Sequence, residues 1–291
     1  MHKSFFERLT KFSGALILVV LVAIFVFLFG QALPALTASE HSLNEIPWFA
    51  NAGVPSVISY VLPLIFGTIL SSFLALVIAV PLALGISLFI VFYAPKHIRQ
   101  LLANIVDLLA AIPSVIYGLW AVAVLMPMLF PIYSIFGSTA NPPRVLMTVS
   151  IVFAIMILPI VSSLTREMFE KVPVPLKEAA LGLGATKWEM ISTAVLPFAK
   201  NGILSSVMLG LGRALGETMA VLIILSPGRG FSLDVLSSGE HQTIAGNIAA
   251  QFPEANGLGV SALIETGLVL FLITFLVNLL SRKILERGVV K

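Results

Sequence analysis

The chain has 291 residues, of which 58% are hydrophobic and only 11% charged, far from the roughly 45–50% apolar and 25% charged balance of soluble domains. A soluble enzyme is thereby excluded, and so is a nucleic-acid binder, because the net charge is only +3 and no basic cluster is interleaved with aromatics. Cysteine is absent and His2, His41, His97 and His241 lie far apart, so the sequence offers neither a disulfide framework nor a metal site.

The chain opens with Lys3, Arg8 and Lys11 ahead of a charge-free stretch from Phe12 to Ser39. A secretory signal has this shape, with small residues near Leu33 to Ser39. A stretch close to a full membrane crossing favours a retained first helix. Further spans are expected at Phe66 to Tyr93, Leu108 to Phe130, Val145 to Leu164, Ile203 to Leu225 and Leu263 to Leu280, about six in all. The second is the least well bounded, because no charge occurs between Glu45 and Lys96 and Pro55, Pro63 and Pro81 interrupt it. Its first part is expected at the membrane interface.

The third span holds Ala111, Ile112, Pro113, Ser114, Val115, Ile116, Tyr117 and Gly118. Proline removes a backbone donor and frees the carbonyl one turn earlier, which is tolerated where the break lines a cavity or is buried in protein. A simple kink accounts for the proline equally well at this point.

Basic residues alternate between loops. Lys96 and Arg99 follow span two, and Arg166, Lys171, Lys177, Lys187 and Lys200 follow span four. Arg282, Lys283, Arg287 and Lys291 end the chain, whereas the opposite loops hold only Arg144 and Arg229. Positive charge retained on the cytoplasmic side then places both termini there. The outer loop from Ser226 to Ser261 begins with a turn signal and spaces Ile244, Ile248 and Phe252 four apart. That spacing predicts a short helix on the outer surface, with a packed loop as the alternative.

Span five places Arg213 and Glu217 four residues apart, on one face of a continuous helix. A charge near the bilayer centre costs from about 2.5 to over 10 kcal/mol, so both should face protein or a wet cavity. An ion pair that merely locks helices is the structural alternative. The planar guanidinium suits an oxyanion, since it donates two parallel hydrogen bonds and stays charged. Glu217 is expected to hold Arg213 in place and offset its charge. Gly212 and Gly216, with Gly210 nearby, are read as helix-packing positions.

Between spans four and five stands Glu178, Ala179, Ala180, Leu181, Gly182, Leu183, Gly184, followed by Leu196 and Pro197. Physically this is a short cytoplasmic helix ended by glycines, and a solvated amphipathic loop would look the same. The pattern resembles the EAA motif of ABC importer permeases, with Glu178, Ala179, Ala180, Gly184, Leu196 and Pro197 fitting and Ala194 standing where that motif has isoleucine. The resemblance implies a coupling helix that docks on an ATPase subunit.

Three stretches together resemble the phosphate-specific ABC permeases: Ile112-Pro113-Ser114 with Tyr117-Gly118, the EAA-like loop, and Gly212 through Val221. The resemblance runs from about Gly67 to the C-terminus, and Met219-Ala220 after Gly-Glu-Thr looks like the PstC type rather than the PstA type. It implies an all-α membrane protein with the type I ABC importer (MetI-like) permease fold in the bacterial inner membrane. Residues 1–65 would form an N-terminal helix and outer loop, 66–282 the permease core and 283–291 a cytoplasmic tail. Arg213, Glu217, Thr218, Pro113 and Ser114 would line the substrate path. The implied partners are a PstA-type permease as heterodimer, two ATPase subunits carrying ATP-Mg, and an external phosphate-binding protein. This chain itself has no Gly-x-x-x-x-Gly-Lys-Ser/Thr sequence and is not expected to bind a cofactor.

An ion-coupled carrier would also keep an intramembrane Arg and Glu, but would have no use for an EAA-like loop. A membrane scaffold would leave both charges unexplained. A permease for molybdate or sulfate is the nearer rival, and Asp107 and Glu265 stand as charges near span ends without an assigned role.

Overall fold

The computed structural model of the chain describes residues 2–289, and the side chains of residues 6–281 and 283 within them. Lys291 and the side chains of Lys3, Arg282 and Arg287, which bear on the expected orientation, lie outside the described residues.

Among the described residues, six helical stretches are long and apolar enough to cross a membrane. The first, α1 (His2–Leu36), is apolar on every side beyond Lys11 and leaves Leu18, Val22 and Phe27 exposed, as suits a helix surrounded by lipid. It leans on the last helix, where Phe25 meets Phe271 at 6.0 Å between ring centroids. Two short helices, α2 (Glu40–Leu43) and α3 (Pro47–Ala50), follow and bury Leu43, Trp48 and Phe49.

The second crossing, α4 (Val57–Leu88), starts nine residues earlier than Phe66, capped by Ser56, whose Oγ accepts from the Ser59 amide at 3.3 Å. The stretch expected at the interface is therefore helix, and Pro63 and Pro81 lie inside it. Lipid tolerates this because neighbouring helices and hydroxyls re-satisfy the freed backbone groups. A ladder of small residues spaced by four, Gly67, Ser71, Ala75, Ala79, Ala83 and Ser87, is buried along it. Such spacing lets two backbones approach closely, and this face receives the central helix α8 (Leu146–Glu170), with Ser87 Oγ donating to the Ser162 carbonyl at 2.9 Å.

A π-helical turn, Phe89–Tyr93, ends the crossing. The amphipathic helix α5 (Lys96–Ala110) follows, then α6 (Ser114–Trp120), a π-helical turn at Ala121–Leu125 and α7 (Met126–Ile135). The third crossing therefore begins at Ser114 rather than Leu108, because a residue preceding proline is driven out of the helical region. The central helix α8 (Leu146–Glu170) buries Val149, Phe153, Ile157 and Val161 and organises the core.

On the EAA-like side lie α9 (Val174–Gly182), α10 (Lys187–Met190), a π-helical turn at Ile191–Val195 and α11 (Leu196–Leu215). The fifth crossing is continuous from Lys187 to Leu215 and stops there. A separate short helix, α12 (Met219–Ile224), follows after Gly216-Glu217-Thr218. The single helix expected from Ile203 to Leu225 is thus broken.

The predicted helix in the outer loop forms as α13 (Ile244–Gln251), but its first four residues are buried inside the bundle. Partners on α4 account for this. Thr68 Oγ1 accepts from the Ile244 amide at 2.9 Å, and Gly67 leaves room for the Gln242 carbonyl. The loop is also tied to the outer segment by Arg229, which donates to the Trp48 carbonyl and the Tyr60 hydroxyl, each at 3.0 Å. The last crossing, α14 (Leu258–Val289), closes the bundle.

Candidate functional site at paired helix breaks

Two helix breaks sit side by side, one at the start of the third crossing and one at the end of the fifth. At the first, Pro113 takes an extended conformation (φ −60°, ψ 141°) and α6 begins at the next residue. The Tyr117 hydroxyl, one turn into α6, donates to the Leu109 carbonyl at 2.9 Å and so bridges the break. At the second, the Glu217 amide donates to the Ala214 carbonyl at 3.4 Å in a tight turn that ends α11. The two breaks are held together through Gly118: a side chain there would come within 3.3 Å of the Ala220 Cα on α12.

Arg213 occupies the last turn of α11, where the partial negative charge of a helix C-terminus favours a cation. It is half-buried and interacts electrostatically with the Tyr117 hydroxyl. Glu217 is buried at 9% exposure. Its Oε1 accepts from the Ala220 amide at 3.2 Å, serving the first turn of α12.

The expected Arg213–Glu217 pair does not form. Among the described residues the ion pairs are Lys11–Glu7, Arg166–Asp107 and Lys171–Glu167. The reason is local: the helix ends between the two residues, and the carboxylate turns to the unsatisfied amides of α12 instead of back along α11. The Arg213 side chain consequently has no hydrogen bond or ion pair to another described residue. Thr218 and Ser114 are half-buried beside these breaks and Pro113 is exposed.

The glycines differ from expectation. Gly210 is the packing position, where a side chain would lie 2.9 Å from Val161 Cγ2 on α8. Gly212 is exposed with nothing within 4 Å, and the nearest neighbour of Gly216 is the Gly212 carbonyl at 3.7 Å. Ile116 and Leu119 on α6 and Met219 and Leu222 on α12 are exposed as well, so each of these two packed helices keeps an open face. Tyr117 joins the site although the sequence pattern gives it no role there; its place one turn after a proline break is the available signal.

Away from this site, Glu178, Ala179 and Ala180 lie on α9, with Glu178 and Ala179 exposed. Ala180 packs beneath them against the cluster of Val91, Phe169, Ile191 and Val195. Gly184 terminates α9 at φ +86°. The Ala185 amide donates to the Ala180 carbonyl at 3.2 Å and Gly184 to Leu181 at 3.0 Å, the pairing that closes a helix through a left-handed residue. Thr186 and Glu189 cap α10 reciprocally. Leu196 and Pro197 open α11 and Ala194 is buried behind them. Leu183 at 90% and Trp188 at 56% exposure leave an apolar surface around this turn.

Asp107 meets Arg166 at 3.0 Å between α5 and α8. Burial pushes its carboxyl up, but hydrogen bonds from Ser163 and Arg166 and the Arg166 charge outweigh this and hold it below its ordinary value. Glu265 is buried within α14, with one carboxyl oxygen lacking a partner.

Residues 79–286 match the model of the family described as binding-protein-dependent transport system inner membrane component. The chain is 43% identical over 237 residues to the phosphate transport system permease protein PstC of Pasteurella multocida, covering 77% of this chain and 73% of that one. It is 39% identical over 297 residues to PstC 2 of Mycobacterium bovis, covering 96% and 91%. Among solved structures, it superposes on a bacterial ABC transporter involved in import of the acidic polysaccharide alginate with a TM-score of 0.58 at 20% identity, covering 93% of this chain and 94% of that one. The MetNI methionine ABC transporter gives a TM-score of 0.57 at 15% identity, covering 78% and 94%. These likenesses show the fold of type I ABC importer permeases. The chain therefore belongs to the binding-protein-dependent transport system inner membrane component family, as a multi-pass membrane protein alongside relatives named phosphate transport system permease protein PstC.

Proposed function

We propose that this chain is one permease subunit of an ATP-driven phosphate importer in the bacterial plasma membrane, with phosphate passing the paired helix breaks at Arg213. The observation that supports this most is the Arg213 guanidinium, half-buried in the last turn of the fifth crossing beside the Pro113 break, with no hydrogen bond or ion pair to another described residue. A cation is held at such a place against an unfavourable desolvation term, and a transiting tetrahedral anion would offset its charge. Discontinuous membrane helices at a midplane binding site are the common construction of transporters. The names of the relatives supply the choice of phosphate.

Glu217 and Thr218 complete one side of the path, and Pro113 and Ser114 the other. The open face implies a second permease across the path, of the PstA type. Glu178, Ala179, Ala180 and Gly184 form the coupling helix and its turn, with Leu196 and Pro197 seating it on α11. Two ATPase subunits that bind ATP-Mg would grip its exposed apolar surface, and an external phosphate-binding protein would deliver the anion. The chain itself hydrolyses nothing. Both termini are cytoplasmic by the distribution of Lys and Arg. Residues 1–65 form the entry helix and outer segment, 66–282 the permease core and 283–291 the tail; as helix, the core's first crossing reaches back to Val57. Alternating access follows when ATP closes the ATPase pair and moves α9.

The test is uptake of labelled phosphate by cells in which this importer is the sole phosphate route. Arg213→Ala abolishes uptake while the protein still reaches the membrane. Uptake at the wild-type rate in that variant removes Arg213 from the path.

A further inference from the structure

We propose that Glu217 is a selectivity residue, whose free carboxylate oxygen accepts a hydrogen bond from an oxyanion that still carries a proton and repels one that carries none. The inference rests on the anion path proposed above and names the class of anion it admits: hydrogen phosphate and its protonated homologues such as arsenate, against fully deprotonated tetrahedral anions such as sulfate.

Glu217 does not neutralise Arg213, since no ion pair joins them. Only Oε1 is engaged, by the Ala220 amide. Oε2 has no partner among the described residues and is not among the fully buried polar atoms, so one carboxylate oxygen keeps contact with solvent and stays available as an acceptor. An ionised carboxylate is acceptor-only, and a guanidinium is donor-only. Two such groups flanking one tight turn offer a ligand several donors and one acceptor.

Sulfate at neutral pH is acceptor-only. It satisfies the guanidinium but sets like charges and lone pairs against Oε2. Hydrogen phosphate has acceptor oxygens for Arg213 and an O–H for Glu217, so both groups are paired. Sites built around a specific hydrogen-bond partner reject an analogue lacking it far more strongly than sites that discriminate by size, because the site's own polar group is left unpaired. The Oε1 cap gives the carboxylate a fixed orientation, which a freely rotating surface glutamate would lack.

Glu217→Gln is the informative variant. It keeps an oxygen for the Ala220 amide, so α12 stays capped, and replaces the free acceptor by an amide N–H that donates to either anion. The assembled membrane complex, without the binding protein so that its own selectivity does not intervene, is placed in nanodiscs. Equilibrium binding of labelled phosphate is then competed with sulfate or arsenate. The wild type is expected to bind phosphate with sulfate at least tenfold weaker and arsenate comparable, and Glu217→Gln to narrow the phosphate–sulfate gap roughly tenfold. An unchanged ratio in Glu217→Gln, or an equal loss of both anions, overturns the selectivity role while leaving the path intact. Phosphate binding that survives Arg213→Ala overturns the anion path itself and the inference with it.

Discussion

The Tyr117 hydroxyl donates to the Leu109 carbonyl at 2.9 Å across the break at Pro113, and the same hydroxyl lies within the field of Arg213. One side chain thus closes the polar gap left by the proline and stands beside the charge proposed to meet the anion. Tyr117→Phe should lower stability by about 1 kcal/mol, the net worth of one hydrogen bond. It should also slow uptake by loosening α6 against α12. A thermal melt in detergent and an uptake assay together check this; an unchanged melt and unchanged rate would show the bridge to be dispensable.

The turn after α9 depends on backbone handedness. Gly184 sits at φ +86°, and a Cβ added there would meet nothing within 4 Å, so Gly184→Ala causes no clash and isolates the conformational term, about 1 kcal/mol. The expected result is weakened coupling: ATP hydrolysis by the assembled complex responds less to phosphate-loaded binding protein, while phosphate binding at the breaks is unchanged. Gly184→Asn, which tolerates this conformation better, should recover part of the response.

Arg229 anchors the outer loop by two hydrogen bonds and by its position 4.2 Å from the centroid of the Tyr60 ring. Arg229→Ala should cost about 2 kcal/mol, as for the loss of charge-assisted bonds at a half-buried site. Increased amide exchange should appear in α13 and the loop before it rather than in α8. Exchange unchanged in α13 would mean that Thr68 and the Tyr60–Asn247 hydrogen bond seat it without Arg229.

Asp107 gives a pH dependence with a defined sign. Its carboxyl is held below the ordinary 3.8, so it contributes stability that is present above that value and lost as pH falls through the depressed one. The Asp107→Asn variant should therefore melt below the wild type at neutral pH, with the difference shrinking on acidification. The effect is small because Asp107 is 46% exposed and screened by solvent. A difference that grows in acid would contradict the pairing.

Much of the architecture is legible in the sequence because lipid imposes a length and composition that cannot be disguised, so all six crossings can be read from it. Their ends are less legible. Val57 to Ile65 carries no charge and contains proline, and apolar composition alone cannot separate interfacial chain from helix. The break after Leu215 is hidden because Gly216 fits a packing motif as readily as a helix end, and Arg213 and Glu217 four apart look paired on any helical wheel. The burial of α13 depends on Thr68, 176 residues away, which no local pattern reports. The Pro113 break is visible in the sequence, but its bridging by Tyr117 emerges only in three dimensions.

The most direct test is phosphate uptake and ATP hydrolysis in proteoliposomes that hold this chain with its permease partner, ATPase subunits and binding protein, comparing wild type with Arg213→Ala and Glu178→Lys. The account predicts ATP-dependent uptake in wild type, loss of uptake in Arg213→Ala, and in Glu178→Lys hydrolysis that no longer follows phosphate delivery. Uptake that proceeds without ATP and follows a proton gradient would contradict it.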